Sequence, residues 1–213
     1  HGMNLTYALL NTIIKYPVPS TGVRKDSGNI KDKKMGYYLA DEAVFHRVTE
    51  ATGAGNNRHP LTYILEAADD LAYKTADIED AFVKGFITYY TLERELAPLE
   101  KNYPEPPFKP LEKLRQLYDR GLKKGVSNPE SYAVKNWIIS AQGFLISCAT
   151  FGFTSNYDSI MTGTFGHDLF YGTYGEKLMD LLGDMAYRCV FSSMEIYKME
   201  VAESAILDNL MDK

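Results

Sequence analysis

Apolar residues recur at steps of three and four along most of this chain, the spacing that gathers them on one face of a helix. In "NLTYALLNTIIKY", Leu5, Leu9, Ile13 and Tyr16 keep that spacing, and Pro17 and Pro19 close the segment. A loop follows from Pro17 to Gly36. Asp41 is placed to cap a second helix, "EAVFHRVTEA", which the glycines at 53 and 55 end. Pro60 opens a third, with Leu61, Ile64, Leu65, Ala68, Leu71, Ala72, Ile78 and Phe82 at helical steps, predicted to run to about Ala97, where Pro98 halts it. The five prolines from Pro98 to Pro110 predict an extended surface connection. Beyond it "LEKLRQLYDRGLKK" is amphipathic, and Pro129 opens a long apolar helix through "ESYAVKNWIISAQGFLISCA". "TGTFGHDLFYGTYG" turns on its glycines, after which "EKLMDLLGDMAYRCVF" and "MEIYKMEVAESAILDNLM" return to helical periodicity. Residues 1–213 thus read as a single all-α segment, with no internal repeat and no domain boundary.

Composition agrees with a folded chain. Across 213 residues, 45% hydrophobic, 13% aromatic and 24% charged content is that of a globular protein able to bury a core. A formal net charge of −5 gives no general attraction for nucleic acid or anionic membrane, although a local basic patch could still hold an anion. Arg24, Lys25, Lys31, Lys33 and Lys34 make the loop before Gly36 such a patch, so nucleic acid stays open as a partner. Cys148 and Cys189 sit in apolar surroundings at no ligand or disulfide spacing, which makes a reducing cytoplasm the expectation. The apolar run "WIISAQGFLISCATFGF" falls short of the roughly 20 residues that cross a bilayer and is expected to be a buried core helix, with no membrane as partner. No export signal is evident at the start.

Charge is gathered on the third helix. "EAADDLAYKTADIEDAF", residues 66–82, puts six carboxylates into seventeen residues with Lys74 as the single cation. Asp69, Tyr73 and Asp77 recur at i, i+4 and i+8 and share one face, with Glu66 a turn earlier and Asp80 nearby. Such a face can be a solvated one. Here a tyrosine lies between the aligned aspartates and alanines flank them, which suits a pocket better, and a hard divalent cation would turn the repulsion into attraction. One carboxylate alone makes no metal site, and histidine does not complete it. His167 with Asp168 sits in a glycine-flanked turn, where Asp168 is expected to cap; His59 precedes Pro60 and is expected to serve the helix entrance; His46 has no partner at ligand spacing.

Several stretches together resemble one family. "RHPLTYILEAADDLAYKTADIEDAF", with "NLTYALLNTIIKYP" ahead of it and "KKMGYYLADEAVF" between, is similar to the central part of the dGTP triphosphohydrolases, HD-superfamily enzymes that cleave a deoxynucleoside triphosphate into deoxynucleoside and intact triphosphate. "TGTFGHDLF" and "SSMEIYKMEVA" resemble the family more weakly. The resemblance implies an all-α HD-type core, here partial, acting on dGTP or another dNTP with a divalent metal, Mg or Mn, in a homo-oligomer. It implies that Asp69 is the last ligand of a His, His-Asp, Asp metal set, that Tyr73 and Asp77 face the deoxyribose, and that Lys15, Tyr16 and Lys34 approach the phosphates. The family's first histidine, its HD doublet and its catalytic histidine lie upstream of "NLTY", so no catalytic residue is expected after His1. This chain reads as a piece of a longer protein, inactive by itself. Two other functions stay open: a non-catalytic helical interaction module, and a sister HD phosphohydrolase such as a nucleotidase or phosphodiesterase.

Overall fold

The computed structural model describes residues 3–102, 107–192 and 194–211. Among them every regular element is helical and no strand occurs, as the periodicity predicts. In chain order the α-helices are α1 (Tyr7–Ile13), α2 (Glu42–Thr52), α3 (Pro60–Val83), α4 (Tyr89–Asn102), α5 (Pro110–Lys123), α6 (Pro129–Ser155), α7 (Tyr157–Met161), α8 (Glu176–Ala186) and α9 (Met194–Met211). A π-helical turn, Tyr187–Phe191, follows α8.

Two compact units are present, one of His1–Asp70 with Leu145–Gly175 and one of Leu71–Phe144 with Glu176–Lys213. In the first, Phe45, Val48, Tyr63, Ala67, Leu145 and Ile160 are buried together with Phe165, Leu169 and Phe170. α1 joins this unit by its polar side. Leu9 and Ile13, the predicted apolar stripe, are about half exposed, whereas Asn11 and Thr12 are buried. Asn11 donates to the Thr52 hydroxyl at 2.6 Å, and the Thr62 hydroxyl donates to the Thr12 carbonyl at 2.9 Å. A carbonyl left over at the end of α1 thereby finds a partner from α3. Because α1 ends at Ile13, Lys15 and Tyr16 stand on irregular backbone beyond it. That backbone is fixed from outside: a Cβ at Gly36 would overlap the Tyr16 carbonyl, and the Gly36 amide donates to the Val18 carbonyl at 3.0 Å. Only glycine allows this approach.

In the second unit Ile78, Ile87, Leu92, Leu96, Leu114, Trp137, Leu182 and Met185 are almost fully buried. The Trp137 indole donates to the Pro110 carbonyl at 2.8 Å, and Gln142 donates to the Thr75 hydroxyl at the same distance.

Four expectations change. The helix begun at Pro60 ends at Val83 instead of continuing to Ala97, because Gly85 takes a left-handed conformation (φ 78°) and the Phe86 amide turns back to the Ala81 carbonyl at 2.8 Å. Thr88 then starts α4 by accepting from the Thr91 amide at 3.1 Å. Pro98 lies inside α4 and does not halt it; Leu92 and Leu96, wholly buried, hold the helix against the loss of one backbone bond. The extended connection therefore cannot begin at Pro98, and residues 103–106 fall outside the described ones. Asp41 makes no capping bond; it closes the 3₁₀ turn Leu39–Asp41 that leads into α2. Finally, α6 spans 27 residues and, by length and composition only, is long and apolar enough to cross a bilayer. Its Ala133, Val134, Trp137, Ile138 and Ala141 are buried, while Ile139, Ile146 and Phe151 are exposed, so only one face of the expected core helix is core.

Candidate functional site

α3 carries the acidic face, and the structure divides its charges into those already neutralised and those that are not. Glu66 is neutralised. The Arg58 guanidinium, 2% exposed, grips both Glu66 carboxylate oxygens, Nη1 on Oε2 and Nη2 on Oε1 at 3.3 Å. The rings of Tyr16 and Tyr63 lie 5.6 and 5.4 Å from the guanidinium carbon, within cation–π range. Tyr63 is itself fixed, donating its hydroxyl to the Phe165 carbonyl at 2.7 Å. Lys15 Nζ completes the group at 3.1 Å from Glu66 Oε1 and 4.0 Å from Asp70 Oδ1.

This cluster shifts its own proton affinities. Burial would raise the Glu66 carboxyl, but the hydrogen bond and charge of Arg58, then Lys15, hold it below the usual range. Burial would lower the Lys15 ammonium, yet Glu66 and then Asp70 carry it above its ordinary value. A depressed carboxyl contributes stability that is whole above its unfolded value, near 4.5, and is lost as pH falls through the folded value. Acid unfolding of Glu66→Gln should accordingly be less steep below that value than acid unfolding of the wild type, and a circular-dichroism melt series across acid pH measures the difference.

Lys15, Glu66 and Asp69 line one open pocket of about 300 Å³ together with Thr12 and Thr62. Among the described residues Asp69 has no ion pair and no hydrogen bond, and it is exposed. Lys34 is also exposed and is not among the residues lining that pocket. Its loop is pinned, since the Ile30 amide donates to the Gly166 carbonyl at 3.0 Å and Lys31 Nζ to Asn57 at 3.1 Å.

In the second unit, Tyr73 is 57% exposed and Asp77 half-buried. The Asp77 Oδ2 atom is buried and has no hydrogen-bond partner among the described residues. Burial, then the charge of Asp80, pushes its carboxyl above the usual range. An acceptor left buried without a donor costs about 1–3 kcal/mol, so Asp77 is set to gain from any donor that reaches it.

The histidines behave largely as their positions predict. His59 Nδ1 accepts from the Leu61 amide at the entrance of α3, and Asp168 accepts from the amides of Phe170 and Tyr171. No group of three His, Cys, Asp or Glu side chains able to hold a metal ion occurs among the described residues. Arg58 is the residue that sequence reasoning overlooks. Its signal was a lone arginine two residues before Pro60, on a loop, eight before the first acid of the helix.

Comparison with known proteins covers the whole chain. No family model matches the chain. Over all of its length it is 37% identical to a deoxyguanosinetriphosphate triphosphohydrolase-like protein of Listeria monocytogenes. The chain is thus similar, over its whole length, to proteins named as dGTP triphosphohydrolases or as dGTP triphosphohydrolase-like. The deoxyguanosinetriphosphate triphosphohydrolase of Klebsiella pneumoniae is 29% identical over 99% of the chain, and a probable one of Pseudomonas aeruginosa 28% over 99%. The chain spans less than half the length of these dGTP triphosphohydrolase relatives, 44%, 42% and 45% respectively.

Proposed function

We propose that this chain forms part of an enzyme that hydrolyses dGTP, or another deoxynucleoside triphosphate, to deoxynucleoside and intact triphosphate. The observation that carries the reading is Asp77. A buried carboxylate oxygen without a donor, on a helix whose whole length falls within the similarity to dGTP triphosphohydrolases, suits the 3'-hydroxyl of a deoxyribose, which donates where the protein does not. Tyr73, exposed one turn earlier, offers a ring against the sugar.

The cations act on the phosphates. Lys15 brings an ammonium to a pocket wall, and Lys34 supplies an exposed one; each offsets the negative charge that builds on a departing triphosphate. Tyr16 backs Arg58, and its hydroxyl is the group by which it would approach phosphate. Asp69, without a hydrogen-bond or ion-pair partner among the described residues, would give one carboxylate to a divalent ion, Mg or Mn, whose chemistry is to acidify a bound water. The described residues alone do not fit such an ion, so the roles assigned here are limited to binding, orienting and neutralising.

Product analysis tests this. The full-length protein, given dGTP and a divalent metal, is expected to release deoxyguanosine and intact triphosphate. Orthophosphate would point to a sister phosphohydrolase, and no turnover under any metal to a non-catalytic helical module.

A further inference from the structure

The Arg58–Glu66 pair is electrically complete without Lys15. One guanidinium against one carboxylate is neutral, bidentate and buried, and needs no second cation. Lys15 nevertheless stands 3.1 Å from the same carboxylate, with about a third of its side chain exposed and its ammonium on the pocket wall. Its positive charge is therefore surplus to the pair. A surface lysine with four rotatable bonds would otherwise lose its rotamer freedom on binding an anion. Glu66 takes up that ordering in advance, using one of three ammonium donors and leaving others for a ligand.

We propose that Arg58 and Glu66 are positioning residues for Lys15: the buried guanidinium orients the Glu66 carboxylate, and Glu66 Oε1 holds the Lys15 ammonium at the pocket wall, aimed for a phosphate group. This rests on the phosphate role of Lys15 proposed above. The neighbouring geometry supports the same function. Tyr16 follows Lys15 directly, its carbonyl is clamped by Gly36 and its ring lies against Arg58, so backbone and side chain are both held at the one segment where α1 has ended. Preorganisation of this kind gains affinity by lowering the cost of ordering.

The sign of one substitution separates positioning from simple charge. Removing a carboxylate beside an anion site should tighten anion binding if only Coulomb repulsion matters. If Glu66 positions Lys15, Glu66→Gln weakens it. Inorganic triphosphate is the probe, titrated calorimetrically into full-length wild type, Lys15→Ala, Glu66→Gln and the double variant. The expected result is a loss of about tenfold for Glu66→Gln, and no further loss when it is added to Lys15→Ala. Should Glu66→Gln fail to fold, Glu66→Asp, which keeps the charge for Arg58 but draws it back by one methylene, is expected to weaken triphosphate in the same Lys15-dependent way. Tighter or unchanged binding in these Glu66 variants, or equal losses with and without Lys15, overturns the positioning role alone. If Lys15→Ala binds triphosphate as wild type does, the phosphate role of Lys15 fails, and this proposal with it.

Discussion

Asp69→Asn in the full-length protein is expected to abolish dGTP hydrolysis and lower its metal content, whereas Asp77→Asn keeps the metal and loses about ten- to a hundredfold in kcat/KM. The two residues lie two turns apart on α3, and their surroundings differ in kind. Asp69 is exposed on a pocket wall with no hydrogen-bond or ion-pair partner among the described residues, so its charge is available to an ion; an amide offers that ion no charge. Asp77 has one buried, unpartnered oxygen, and an amide keeps its size while giving up a charge-assisted bond worth about 1.5–3 kcal/mol. A fold-level measurement separates the roles further. Because the Asp77 carboxyl is held above the usual range, folding favours its protonated form, and the charged form weakens the fold at neutral pH. Asp77→Asn should therefore melt no lower than wild type. Kinetics on dGTP and its 3'-deoxy analogue, with metal analysis of both variants, decide the matter: if Asp77→Asn loses metal, or loses as much activity on the analogue as on dGTP, it does not serve the sugar.

Arg58→Ala is expected to be the most damaging single change to the fold. Arg58 is fully enclosed, and its removal leaves the largely buried Glu66 carboxylate with only the part-exposed Lys15 ammonium against it and a void beside the rings of Tyr16 and Tyr63. Breaking a buried pair from one side costs about 3–5 kcal/mol, which lowers Tm by roughly 10 °C in a chain of this size. The penalty belongs to the buried charge deprived of its enclosed partner more than to the lost bond, so Arg58→Met combined with Glu66→Leu should recover most of it. Thermal melts of the two variants read this directly. A single variant within a degree or two of wild type would show that the cluster does not organise this unit.

Helical class, most helix starts and the candidate residues of α3 were legible in the sequence, because they depend on local rules: 3.6-residue periodicity, proline at first turns, glycine after last ones, and i, i+4 spacing. Even the two errors about α3 and α4 had local signals, Gly85 and Thr88, outweighed by the proline at 98. The state of the acidic face was not legible. Six like charges on one stretch posed a single question in the sequence, and the folded chain answers it differently at each residue: Glu66 is met by Arg58 and Lys15, Asp69 by no hydrogen bond or ion pair among the described residues, and Asp77 is pressed half out of water without a donor among them. Nor could periodicity tell that α1 would bury Asn11 and Thr12 and expose Leu9 and Ile13. The difference is physical. Helix formation is governed by neighbours a few residues apart, whereas the worth of a charge or a polar group depends on which distant groups the tertiary fold brings within hydrogen-bond reach and how much water it removes.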